Sequence, residues 1–272
     1  MLAYARYGHA RMQEAEFREI LHRSGFTDVY PIGDFFVDNA SSARGFFAAN
    51  GERALLAFRG TEKGNFFDLA ADADVLPAND EDMQAYVHRG FHRYFESVWP
   101  EVVGLVKNYR NVHPRQDICI TGHSLGGALA SLAFAHLCDP ATSLYTFGCP
   151  RVGDRAFCER IETAAKTQQC WRIVDHLDIV THVPLHGGYE HPRIGTLWID
   201  SKGELTANTA KLPDDQTGFG YMFLGLVNTH LPWLFSKWLP RPLADHSPAR
   251  YCHWVAQAIE TSQADSNSQR RS

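Results

Sequence analysis

The stretch ICITGHSLGGALASLAFAHL, residues 118–137, constrains this chain more than any other. A strand-length apolar run, DICIT, is followed by GHSLGG and then by ALASLAFAHLC, which is rich in helix formers. Ser124 therefore falls on a strand-to-helix turn, flanked by Gly122 and Gly126. By itself G-x-S-x-G arises by chance in a chain of this length about one time in ten. Its context gives it meaning: a serine on a sharp turn at the carboxyl end of a strand stands clear of the backbone, provided its neighbours are small. Gly127 and Ala128 let the following helix approach the sheet, and that helix's N-terminus favours a developing oxyanion.

The surrounding order of elements suits such an elbow. After an opening helix at about Arg11 to Arg23, the runs TDVYPIG, DFFVDN, ARGFFAAN and ERALLAFRG read as short strands punctuated by Gly, Asn or Pro. Phe91, Phe95, Val98, Val102, Leu105, Val106 and Tyr109 recur at helical spacing and predict one long amphipathic helix, closed by Pro114. Beyond the elbow, TSLYTFG is a strand, DRAFCERIETAAKT a helix, and CWRIVDHLDIV a strand running into a loop. Antiparallel strands first and β/α alternation afterwards imply an α/β fold with a mixed, mostly parallel central sheet and helices on both faces.

Length and composition add bounds. With 272 residues and 44% hydrophobic content the chain can bury a large core, and the expectation is one domain over 1–260. The polar end TSQADSNSQRRS, 261–272, is expected to be disordered. A net charge of −5, with no basic run interleaved with aromatics, excludes the footprint of a nucleic-acid binder. The charged N-terminus shows no signal peptide, so a cytoplasmic location is favoured, or secretion with the leader removed. Six cysteines without a C-x-x-C pair read as reduced thiols. HGGYEH offers two histidines, but no Cys or carboxylate cluster completes a metal site, and no metal or cofactor is expected.

Seven stretches, LLAFRGT (55–61), VHRGF (87–91), ITGHSLGGALA (120–130), LYTFGCPRVGD (144–154), RIVDHLDIVTHVP (172–184), YEHPRIGTLW (189–198) and DHSPARY (245–251), resemble in order the motifs of the class 3 lipases, which include the fungal triacylglycerol lipases. The resemblance implies the α/β-hydrolase fold and a serine ester hydrolase, a lipase or carboxylesterase, acting through an acyl-enzyme on Ser124. Serine needs a histidine base, and the histidine a carboxylate, in the chain order Ser, Asp or Glu, His. The downstream acids include Asp154, Asp175, Asp178 and Asp200. The resemblance carries the acid to Asp178, with Asp175 as rival, and the base to His246, with His230 and His191 as alternatives. His253 lies two turns into the last helix, beyond the reach of a loop tip. For the oxyanion it implies the amides of Leu125 and Thr61, and for Asp68 a supporting role. Arg59, Gly148, Pro150, Arg151 and Asp154 read as architecture.

In the fungal relatives a short lid follows the oxyanion residue, and the matching EKGNFFDLA here is short and lacks the usual tryptophan. The apolar segment at about 205–243, with Phe219, Met222, Phe223, Leu226, Val227, Leu231, Leu234, Phe235 and Trp238 at helical spacing, reads as a core helix pair or as a cap over the acyl pocket that contacts a lipid interface transiently. Pro232, Asn228, His230 and Lys237 argue against a transmembrane span. An acyltransferase or phospholipase with the same triad, or a catalytically silent lipid-binding module, would share these motifs.

Overall fold

Strand β6, Asp117–His123, lies at the middle of an eight-stranded sheet, and its neighbours decide what surrounds Ser124. The computed structural model describes residues 14–33, 43–60, 76–175, 178–184, 188–200, 202–208 and 246–269. Within them the elements run α1 (Glu14–Arg23), β1 (Asp28–Ile32), β2 (Gly45–Ala49), β3 (Arg53–Phe58), β4 (Pro77–Asp80), β5 (Ala85–His88), α2 (Arg89–Glu96), α3 (Trp99–Val112) and β6. They continue with α4 (Leu125–Leu137), β7 (Thr142–Phe147), α5 (Arg155–Ala164), β8 (Cys170–Asp175), a 3₁₀ turn (Ile179–His182), β9 (Gly195–Ile199), β10 (Leu205–Asn208) and α6 (Pro248–Gln269).

The sheet order is β1-β2-β3-β6-β7-β8-β9-β10. Strands β3, β6, β7, β8 and β9 pair in parallel, while β1-β2, β2-β3 and β9-β10 are antiparallel, which is the mixed sheet with a parallel centre that the order of elements predicts. Alternation along each strand sorts side chains between two cores. Phe47, Ala49, Leu56, Phe58, Ile118, Ile120 and Leu144 face a core closed by α2, α3, α4 and α5. On the opposite face Phe46, Ala48 and Ala57 pack against Phe17 and Leu21 of α1, and Phe147, Ile173 and Ile199 against Tyr251 of α6. Both faces are covered, and eleven of the thirteen residues of α4 are buried.

The single helix expected across Phe91 to Tyr109 is two. Ala85–His88 pairs antiparallel with Pro77–Asp80 as a hairpin, and the chain then breaks after Glu96. Pro100 has no N–H and its ring clashes with a preceding carbonyl, so it fits the first turn of α3 but not a helix interior. Asp80 fastens the hairpin to the helices: its Oδ2 accepts from Nε2 of His136 at the end of α4 (2.8 Å) and of His92 in α2 (3.2 Å). Helix α6 also departs from expectation, since it continues to Gln269 through residues whose polarity suggests disorder. An established helix extends at one hydrogen bond per residue, and the Ala and Gln of this stretch sustain it.

All six cysteines are free thiols. Burial pushes Cys149 and Cys158 up to about 12, which keeps them protonated and unreactive. Among the described residues no helix is long and apolar enough to cross a membrane.

Candidate active site

Because β6, β7 and β8 are parallel neighbours, their carboxyl ends open along one edge of the sheet, with adjacent strands about 4.8 Å apart. Ser124 follows β6, Gly148 follows β7 and Asp178 follows β8. The ladder extends past the strand ends: the Ser124 amide donates to the Phe147 carbonyl and the Gly148 amide to that of Ile173, each at 3.0 Å.

Ser124 sits at φ 59°, ψ −128°, a positive-φ position that a non-glycine residue holds only under constraint. The constraint is visible at its glycines. A Cβ on Gly122 would stand 2.1 Å from the Gly126 carbonyl oxygen, and one on Gly126 would stand 2.3 Å from that of Phe58, so the turn and the seating of α4 against β3 both require glycine. Ser124 is 2% exposed, and its Oγ makes no hydrogen bond among the described residues. The Leu125 amide is the first of α4 and therefore lacks an intrahelical acceptor, leaving its N–H available at the serine.

Asp178 is wholly buried, with each carboxylate oxygen held. Oδ1 accepts the Val180 amide (2.9 Å), Oδ2 accepts the Tyr251 hydroxyl (2.6 Å), and Nδ1 of His246 lies 2.9 Å from both. A carboxylate can only accept, so Nδ1 carries the proton and Nε2 of the neutral ring is left with its lone pair, the tautomer a general base needs. His246 precedes α6, is 9% exposed, and has the His123 ring packed 4.5 Å from its own.

Asp175 and Asp178, separated by two residues, have different work. Asp175 ends β8, and its Oδ2 accepts from Nε of Arg250 at 2.5 Å, an ion pair between strand and helix. His191 donates from Nε2 to the Thr181 carbonyl (2.6 Å), and burial, with Arg172 nearby, holds its pKa well below the usual imidazole value. His253 is exposed on α6. His230, Thr61, Asp68, the segment EKGNFFDLA and nearly all of the apolar stretch at 205–243 lie outside the described residues.

Two residues at the site do more than the sequence assigns them. Gly148 reads as architecture, yet at φ 54° its missing side chain is what admits the pair: a Cβ there would lie 2.6 Å from Asp178 Oδ2 and 3.1 Å from His246 Nδ1. Tyr251 is visible in sequence only as an aromatic after the histidine, and nothing in the sequence announces that its hydroxyl reaches back to Asp178.

A sheet of this order, with a serine elbow and a buried Asp–His pair at its carboxyl edge, is the α/β-hydrolase fold. The family model "Lipase (class 3)" matches residues 55–187, just under half of the chain, and the chain is similar to the class 3 lipases. It is 36% identical to "Lipase" of Rhizopus oryzae over 156 residues, which cover 54% of this chain and 38% of that one. It is 27% identical to "Secreted mono- and diacylglycerol lipase A" of Penicillium cyclopium over 217 residues, 74% of this chain and 69% of that one. Its structure resembles that of the Rhizomucor miehei triacylglyceride lipase with a TM-score of 0.56 and 26% identity, over 70% of this chain and 72% of the other. The chain thus spans well under half the length of the Rhizopus relative.

Proposed function

We propose that this chain is a serine ester hydrolase that cleaves acylglycerols or related carboxylic esters. Ser124 Oγ attacks the ester carbonyl, His246 Nε2 takes its proton, and the Asp178 carboxylate holds the ring and the imidazolium that forms. The Leu125 amide binds the oxyanion together with the Thr61 amide. Collapse of the tetrahedral intermediate expels the alcohol, protonated by His246, and water repeats the sequence on the acyl-enzyme. Asp68 supports the oxyanion loop, and 1–260 act as one domain.

One observation carries the reading: a buried Asp178–His246 pair, joined through Nδ1, at the sheet edge that bears a strained and buried serine. The substrate class rests on the names of two of the similar proteins, a mono- and diacylglycerol lipase and a triacylglyceride lipase. A fluorophosphonate, an acyl-ester mimic, should add its mass at Ser124, and Ser124→Ala should lose both labelling and hydrolysis, the latter by about a millionfold. An unlabelled Ser124 in folded protein would leave only a silent lipid-binding module.

A further inference from the structure

Helix α6 does more than follow His246. Arg250, on its first turn, pairs with the Asp175 side chain, and the next residue, Tyr251, reaches the same strand end by its hydroxyl. The Asp175 backbone amide donates to Tyr251 Oη at 2.9 Å, and Oη lies 2.6 Å from Asp178 Oδ2. An amide can only donate, so it occupies the phenol oxygen as acceptor, and the single phenol proton is directed at the carboxylate. We infer that Tyr251 is a positioning residue of the hydrolytic site, a fixed donor that locks the Asp178 carboxylate in rotation and tempers its charge toward His246. This role rests on the hydrolase reading proposed above.

The surroundings make the donor permanent. Tyr251 is fully buried, with its ring edge-on to Phe147 (6.3 Å) and to His123 (5.5 Å). Burial and the neighbouring Asp178 raise its pKa well above the usual phenol value, so the hydroxyl keeps its proton wherever the site is active. Without it Oδ2 would be held by His246 alone, while Val180 still held Oδ1. The carboxylate could then turn about its Oδ1 anchor, and more of its charge would fall on the imidazole. The first effect slows turnover; the second stabilises the imidazolium and raises the pH at which His246 becomes a base. Titratable groups beside His246 include Asp178 and the His123 ring, and Tyr251 touches both of these.

Tyr251→Phe keeps the ring and removes the donor. On a soluble chromogenic ester, kcat should fall about tenfold with KM within about twofold, on the scale of a charge-assisted hydrogen bond. The acid limb of kcat/KM should move to higher pH by about half a unit. In an Asp178→Asn background the same substitution should cost less than about twofold, because Tyr251 acts through that carboxylate. If Tyr251→Phe folds poorly, 3-fluorotyrosine at 251 keeps the contacts and strengthens the donor, and the acid limb should then move to lower pH. An unmoved acid limb in both variants, or an equal loss with and without Asp178, would overturn the role. Fluorophosphonate labelling of the unmodified protein separates the two failures: no label at Ser124 removes the hydrolase reading, whereas labelling with unchanged Tyr251→Phe kinetics removes the positioning role alone.

Discussion

Gly148→Ala is the sharpest small perturbation that the structure offers. The added methyl would lie 2.6 Å from Asp178 Oδ2, about 0.7 Å inside the ~3.3 Å at which carbon and oxygen meet. A flexible side chain would swing away, but this carboxylate is tied to Val180, Tyr251 and His246, so relief must come from displacing the Asp–His pair. A misplacement approaching 1 Å at a reacting group costs up to about a hundredfold, and kcat should fall by about fiftyfold. Stability should also fall, by about 1–2 kcal/mol for holding alanine at φ 54° and about 1–2 kcal/mol more for the overpacking. Gly25→Ala separates the two effects, since Gly25 has φ 89° but nothing within 4 Å of where the methyl would stand. It should lose only the strain energy, by urea unfolding, and keep full rate on a soluble ester. Gly148→Ala activity within about threefold of the unmodified protein, or an equal activity loss in Gly25→Ala, would refute the steric argument.

Two further outcomes follow from the buried groups. Asp178→Asn should lower kcat by about ten-thousandfold through the wrong histidine tautomer, whereas Asp175→Asn, which weakens the Arg250 pair, should cost no more than about tenfold in kcat and about 2 kcal/mol in urea unfolding. Comparable kinetic losses in the two would reverse the assignment of the acid. His191 titrates far lower folded than unfolded, so below about pH 6.5 the unfolded chain binds one more proton. Its contribution to stability is complete above about pH 6.5 and declines by about 1.4 kcal/mol per unit as pH falls below it, until the folded ring also protonates. His191→Gln should flatten that part of the stability profile, and an unchanged acid slope would show that the ring is not held neutral.

The elbow and its context were readable because both are local. Strand, turn and helix succeed one another within 118–137, and the glycines that allow close approach lie two residues either side of Ser124. The strands in TDVYPIG, ARGFFAAN and ERALLAFRG were readable from punctuation and alternation, whereas DFFVDN lies outside the described residues, and the parallel centre was readable from the β/α order. Helical spacing misled at Phe91 to Tyr109, because the period persists across a break that Pro100 imposes, and the residues just before it form a hairpin strand whose partner lies earlier in the chain. The polar end of α6 misled in the opposite sense, since composition reports what can be buried and not how far a nucleated helix will run.

By itself, then, the sequence determined the residue types and local geometry of the site: a serine on a strained turn, an acid after the next-but-one strand, and a histidine ahead of a helix. It could not choose between Asp175 and Asp178 on chemistry, since both are aspartates at the end of β8. Only the tertiary structure distinguishes their surroundings, by sending Arg250 to one and His246 with Tyr251 to the other. The reason is physical. A carboxylate's role is set by the donors that surround it, and here those donors come from in and just ahead of a helix that lies far along the chain.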